Sequence, residues 1–324
     1  LTKNYDCYDI LILEQEILNL KTNAKQISIN EIMSNLINTM LKKYFSNYDY
    51  YYLKYSLKNA YKNIEDLVVG SSYSRNGIID ELLGEKAINL SLSSQDLYYS
   101  IKLAMNVILN NKNIKRVFLG LGYYGFYHDL SKSTNGRIDR INLVYGPILG
   151  DYRNVYDENK IKKTIFLWEY EDFIDFKSSE EVIGEVIYKS FNGSYYNEKV
   201  NRENTRLNIG EIALWKDIDE KRRELYSKTR TFYHNKFLKY KESFFENKKE
   251  FINFLDFCYE RNIKVIVTIF PFSKQYNKYI DSKYREEFLE VLESLEKEIN
   301  FIDFNELDIF DEEDFIDMDH LNIK

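Results

Sequence analysis

From about residue 63 onward, short β-branched apolar runs alternate with helix-length stretches whose apolar residues fall on one face. Leu67-Val68-Val69 stops at Gly70-Ser71-Ser72, the pattern of a strand ending in a turn. Residues 87–90 form a second run, followed by Ser91, Ser93 and Ser94. Leu97, Ile101, Ala104, Met105 and Ile108 then share a helical face. Val117-Phe118-Leu119 reads as a third strand and ends in glycines (Gly120, Gly122, Gly125). The pattern resumes with a stripe of Phe244, Phe251, Phe254, Leu255 and Cys258, a strand over residues 265–270 ending at Pro271, a stripe of Tyr284, Phe288, Val291, Leu292 and Leu295, and a short strand over 301–304. Strands separated by helix-length segments predict an α/β fold with a mainly parallel sheet.

Two regions break the alternation. Residues 1–62 read as an N-terminal helical segment, with Ile32, Met33, Leu36, Ile37, Met40 and Leu41 at helical spacing and a Tyr-rich stretch over 48–61 free of Pro and Gly. Residues 63–324 form the α/β domain, interrupted between strands three and four by an insertion over 131–243. The insertion holds Trp168, Trp215, a turn signal at Asn192-Gly193 and a charged helical run over 217–241. It is expected to lie over the strand ends, where parallel sheets bind ligands.

Composition narrows the function classes. Hydrophobic residues at 44% and charged residues at 30% describe a globular rather than a disordered chain. No apolar run approaches the roughly 20 residues a bilayer span needs, so no transmembrane segment is expected. Residues 1–9 show no basic region followed by an apolar one, which points to a cytoplasmic chain. The chain starts at Leu, however, and reads as part of a longer polypeptide from which a leader could have been removed. A net charge of -7 argues against a nucleic-acid partner. The 29 tyrosines read as a compositional bias spread over the whole chain rather than a sugar-stacking surface. Cys7 and Cys258 match no metal-ligand spacing, and Cys258 reads as a buried structural thiol.

The candidate chemistry rests on few residues. Of three histidines, His320 lies in Asp317-Met318-Asp319-His320-Leu321-Asn322, His128 follows a run of aromatics, and His234 sits in a charged helical stretch that suits a solvated or structural role. A serine hydroxyl becomes a nucleophile when a base takes its proton, and the base works best when a carboxylate orients it. Ser72, at the end of the first strand, is the candidate nucleophile, His320 the base and Asp317 its charge partner. A role for Ser72 as a simple helix cap is the alternative, and it predicts that His320 lies far away. The acidic run from Asp308 to Asp319 lacks the spacing of a calcium loop and reads as a solvated surface. Gly120-x-Gly122-x-x-Gly125 follows a strand, but its intervening aromatics leave little room for a dinucleotide. No metal or cofactor is expected.

These blocks resemble the SGNH/GDSL hydrolase superfamily. Gly70-Ser71-Ser72-Tyr73 is similar to its nucleophile block, in the Gly-Ser-Ser variant of the branch with the teichoic-acid D-alanyl transfer protein and alginate O-acetyltransferases. Asn89-Leu90-Ser91-Leu92-Ser93-Ser94 resembles its second block, and the Asp317–His320 block is the closest match. The resemblance covers 65–130 and 262–322. It implies a three-layer α/β/α fold, catalysis by Ser72, His320 and Asp317, and an oxyanion hole drawing on backbone N–H groups of Ser94 and Gly122. The third block departs: Gly120-Leu121-Gly122-Tyr123 stands where the family has Gly-x-Asn-Asp. Losing one oxyanion donor costs roughly 2.7–4 kcal/mol, so Tyr123, Tyr124, a backbone N–H or the insertion has to replace it. The chain also ends four residues after His320, where members usually have one more helix.

The function implied is a serine-dependent acyl, typically O-acetyl, transferase or esterase acting on a glycan. Two alternatives stay open: transfer of a non-acyl substituent to a sugar hydroxyl, and a catalytically degenerate module that binds a glycan or a partner enzyme.

Overall fold

A computed structural model describes residues 48–134, 137–153, 155–159 and 215–322. The predicted helical spacing over 32–41, Cys7, Trp168 and Asn192-Gly193 lie outside the described residues. Five strands form one all-parallel sheet in the order β2-β1-β3-β4-β5. They are β1 (Asp66–Gly70), β2 (Ala87–Asn89), β3 (Arg116–Leu121), β4 (Lys264–Ile269) and β5 (Asn300–Asp303). Each coincides with a run read from the sequence. The inner strands β1 and β3 are apolar along most of their length because both faces are covered.

The helices are α1 (Tyr48–Ala60), α2 (Ser72–Gly77), α3 (Asp80–Leu83), α4 (Leu97–Asn110), α5 (Gly146–Leu149), α6 (Glu220–Asn235), α7 (Lys241–Tyr259), α8 (Lys274–Tyr279) and α9 (Lys283–Glu293). Asp96 starts α4 by accepting from the Tyr99 N–H, and the stripe Leu97, Ile101, Ala104, Ile108 is buried. Helix α4 packs against β1 and against α7, whose buried Phe251, Phe254 and Cys258 face inward. The Cys258 thiol is fully buried, as expected of a structural cysteine. Among the described residues no helix is long and apolar enough to cross a membrane.

The compact unit that carries the sheet comprises Tyr52–Tyr156 and Glu203–Lys324; a second comprises Leu1–Tyr51 and Asp157–Arg202. The sheet unit includes the end of α1 from Tyr52 onward. The physical reason is burial: Leu53, Leu57 and Ala60 are buried, and Tyr52 donates to the Asn89 carbonyl at 2.5 Å. Each buried leucine contributes roughly 1.5–3 kcal/mol, enough to hold this end of the helix to the unit.

The strand order reverses between β1 and β3, the topological switch point where ligands bind in open parallel sheets. Gly70 and Gly120 are paired across those two strands. The segments after them, carrying Ser72 and Gly122, consequently leave the sheet side by side.

Candidate active site

Ser72 is placed by a strand that turns into a helix without a loop. Gly70 has φ +150, which disfavours any side chain, and a Cβ there would lie 2.3 Å from the Gly120 carbonyl oxygen. A Cβ on Gly120 would lie 2.0 Å from Ser74 Oγ. The two glycines thus let α2 start directly on top of the strand ends. Ser71 is the N-cap, its Oγ accepting from the Tyr73 N–H at 3.4 Å, so the capping role belongs to Ser71 and leaves the Ser72 hydroxyl free of it.

His320 is carried by a closed loop. Phe315 and Leu321 form an antiparallel bridge, Ile316 N–H donates to the His320 carbonyl at 3.0 Å, and Ser273 N–H ties Met318 to the β4–α8 connection. Inside the loop the Asp317 carboxylate accepts from the Asp319 N–H at 3.0 Å, an Asx-type turn. That turn swings the His320 ring back over Asp317. The His320 Nδ1 lies 2.9 and 3.0 Å from the two Asp317 oxygens, and Nε2 lies 2.7 Å from Ser72 Oγ. The helix-cap alternative, which required distance between Ser72 and His320, is not what the chain adopts.

A second carboxylate faces the same imidazole. Asp319 Oδ1 is 3.4 Å from His320 Nδ1, and its side chain is 1% exposed. The solvated acidic surface expected from Asp308 to Asp319 holds at Asp308, Asp311, Glu312 and Glu313, but not at Asp319. A buried carboxylate needs partners, and Asp319 has two besides His320. Tyr73 OH donates to Oδ2 at 3.1 Å, Arg230 Nε lies 3.2 Å from Oδ1, and the Tyr124 hydroxyl backs Tyr73 at 2.6 Å. The Arg230 guanidinium also reaches Asp317 Oδ2 at 3.5 Å.

These neighbours set the protonation states. Burial opposes the His320 cation, but Asp319 and Asp317 outweigh it and raise the imidazole to about 10. Burial likewise opposes ionisation of Asp319, yet His320 and Arg230 hold its carboxyl well below the usual carboxylate range. At neutral pH the resting site is therefore an imidazolium between two carboxylates, its Nε2–H donating to Ser72 Oγ. Asp317, Asp319 and His320 are close enough to share a metal ion. The position a cation would take against both carboxylates is occupied by the Arg230 guanidinium.

The cleft beside Ser72 has a volume of about 70 Å³ and is lined by Ser94, Gly122, Tyr124, His128, Arg137 and His234 among others. At roughly 10–15 Å³ per water, it holds on the order of five waters, enough for a small acyl group. Ser94 sits in the left-handed region (φ +57) on the loop after β2. Ser94 and Gly122, the two residues expected to supply oxyanion donors, both reach this cleft. Of the two tyrosines considered as replacements for the third-block Asn, Tyr123 turns away and donates to Asp303 at 2.5 Å, and the Tyr124 hydroxyl is engaged by Tyr73. His234 is buried against the Tyr276 hydroxyl at 2.6 Å rather than solvated. Burial pushes it down to about 3, and burial with the nearby Arg137 pushes His128 down to about 4, so both are neutral. Gly120 and Gly122 serve close packing against Ser74 and Tyr73, and a short 3₁₀ turn, Tyr123–Phe126, follows them instead of the long helix a dinucleotide site would need.

Arg230, Asp319 and Tyr73 are site residues to which sequence reasoning gave no role, and Tyr124, considered there as an oxyanion donor, backs Tyr73 instead. Only Asp319 carried a signal, its position two residues from Asp317 in the same block. Comparison with protein-family models and with curated proteins returns no match.

Proposed function

We propose that this chain is a serine-dependent acyltransferase or esterase that passes a small acyl group, most simply acetyl, through an ester on Ser72. The observation that carries the reading is the relay of Ser72 Oγ, His320 and Asp317 at 2.7 and 2.9 Å, assembled from opposite ends of the sheet unit. Ser72 follows the first strand and Asp-x-x-His closes the chain's last block, which supports placement with the SGNH/GDSL hydrolases. The resemblance to that superfamily also supports a glycan hydroxyl as the acceptor.

In this mechanism the neutral form of His320 removes the Ser72 proton as Oγ attacks the acyl carbonyl, with Asp317 and Asp319 stabilising the imidazolium that results. Backbone N–H groups of Ser94 and Gly122 are the donors assigned to the oxyanion. The imidazolium then protonates the leaving group, and acyl-Ser72 remains. A sugar hydroxyl or water gives its proton to His320 as it attacks the ester, releasing product and restoring Ser72. The cleft has room for an acetyl group.

The test is intact-protein mass spectrometry after exposure to p-nitrophenyl acetate or a fluorophosphonate, on wild type, Ser72→Ala and His320→Ala. One adduct on Ser72, lost in both variants, is expected. Folded wild-type protein that takes no adduct between pH 7 and 10 sinks the acyl-enzyme reading.

A further inference from the structure

The carboxylates at this site are already matched by cations other than Arg137. Asp317 and Asp319 face the Arg230 guanidinium and the His320 imidazole. Arg137 lines the same cleft and, among the described residues, has no ion-pair partner. Arg116, Arg153, Arg223 and Arg285, by contrast, each lie against a carboxylate. Arg137 is an exposed residue on the rim of the cleft, whose other charged lining residues are Arg230, Asp319 and His320. The lining also includes Tyr124, His128 and Phe237, with Phe237 ring centroids 5.5 Å from Tyr124 and 5.2 Å from His128. Solvent screens the exposed guanidinium in the free protein, and a substrate docked over the cleft would remove part of that screening. The whole chain carries a net charge of -7, so this local positive charge runs against the general field.

We infer that Arg137 is a substrate-recognition residue and that the true substrate carries an anionic group, carboxylate or phosphate, close to the acyl group it exchanges. The guanidinium fork suits either oxyanion through paired N–H donors. The inference rests on the reading of Ser72 as the acylated residue for its kinetic arm, and on the cleft alone for its binding arm.

With acetyl phosphate as an anionic donor, the bond from carbonyl carbon to the bridging oxygen breaks as the bond to Ser72 Oγ forms. The Ser72 proton passes through His320 to the departing phosphate, giving acetyl-Ser72 and hydrogen phosphate. With p-nitrophenyl acetate the same step has no anion to recognise. The experiment measures kcat/KM for both donors in wild type, Arg137→Gln and Arg137→Lys. Alongside it, phenylglyoxal labelling of Arg137 is followed by peptide mass spectrometry with and without inorganic phosphate or malonate.

The ratio of kcat/KM for acetyl phosphate over p-nitrophenyl acetate is expected to fall at least about ten-fold in Arg137→Gln, the size of one lost charge-assisted pair, and to recover in part in Arg137→Lys. Phosphate or malonate is expected to protect Arg137 from labelling, and whichever protects at lower concentration identifies the oxyanion. An unchanged ratio together with equal labelling in the presence of both anions overturns the inference. Protection of Arg137 without acetylation of Ser72 by either donor keeps the anion site and rejects the acyl-enzyme reading instead.

Discussion

Arg230 Nε lies 3.2 Å from Asp319 Oδ1, so a helix between strands three and four supplies the cation for a carboxylate in the last loop of the described chain. Asp319 is 1% exposed, and His320 together with Arg230 keeps it ionised there. The consequence reaches His320. The two carboxylates that raise its affinity for a proton are themselves shared with Arg230, which limits how strongly they hold the imidazolium.

Replacing Arg230 is therefore expected to act mainly through His320. Arg230→Gln removes the competing charge, so His320 holds its proton more tightly and the pH at which activity reaches half its maximum moves up. At pH 7 kcat/KM falls, while at high pH the variant recovers toward wild type. Arg230→Lys restores part of the shift. The stability cost is about 1–2 kcal/mol, below the 3–5 of a fully buried pair, because the Arg230 side chain is 36% exposed and solvent screens it. A pH–rate profile of Ser72 acetylation together with urea unfolding separates the two effects; a uniform loss at every pH would leave only a structural role.

For wild type, the sign of the pH dependence follows from His320. Its raised value, to about 10, means that the neutral base grows with pH, so acylation of Ser72 should climb from pH 7 toward pH 10. Asp319→Asn removes one of the two carboxylates that raise His320 and shifts the rise to lower pH; Asp317→Asn also shifts it and in addition loses the 2.9 Å orienting bond. The Asp317 variant is thus expected to lose more of the plateau rate, and the Asp319 variant to gain relative rate near neutrality. A plateau already reached at pH 7 in wild type would contradict this account of the site.

Much of this was legible in the chain. The five strands could be read because each β-branched run ends at Gly, Ser, Pro or a charged turn; Ser72 stands just after the first of them, and Asp317 and His320 lie in the loop that follows the last. What could not be read is what tertiary packing decides. Arg230 sits in Glu-Lys-Arg-Arg-Glu-Leu-Tyr-Ser-Lys-Thr-Arg, where charge at nearly every turn looks like a solvated face. Asp319 sits among acidic residues that are mostly exposed, and only the turn closed by Asp317 directs its side chain inward. A Tyr-rich helix without a clear apolar stripe likewise does not reveal that Tyr52 and Leu53 are buried.

His320 also makes folding stability depend on pH. A group whose proton affinity is higher in the folded state adds stability that is complete below its unfolded value of roughly 6.5 and is lost as pH rises through the folded one. For His320 that window runs from near pH 6.5 to about 10. Over it the group should remove about 1.4 kcal/mol per pH unit. The measurement is the urea-unfolding free energy of wild type and His320→Gln at pH 6, 7, 8 and 9. The two curves should converge as pH rises, and parallel curves would show that the imidazole is not charged at rest.

The last prediction tests how the backbone delivers Ser72. A Cβ on Gly120 would come within 2.0 Å of Ser74 Oγ and 2.6 Å of the Phe270 ring. Ser74 is fully buried on α2, two residues beyond Ser72, and has no open side to retreat to. Gly120→Ala must then push α2 off the strand ends, at a cost of about 1–3 kcal/mol typical of overpacking. The same displacement pulls Ser72 Oγ away from His320 Nε2, so acetylation of Ser72 should fall far more than the loss of folded protein explains. Ser74→Gly removes the nearest clashing atoms. In a double-mutant cycle it should recover part of both stability and labelling, with a combined cost smaller than the sum of the single ones. Additive costs would mean that the contact of Gly120 with α2 does not set the position of Ser72.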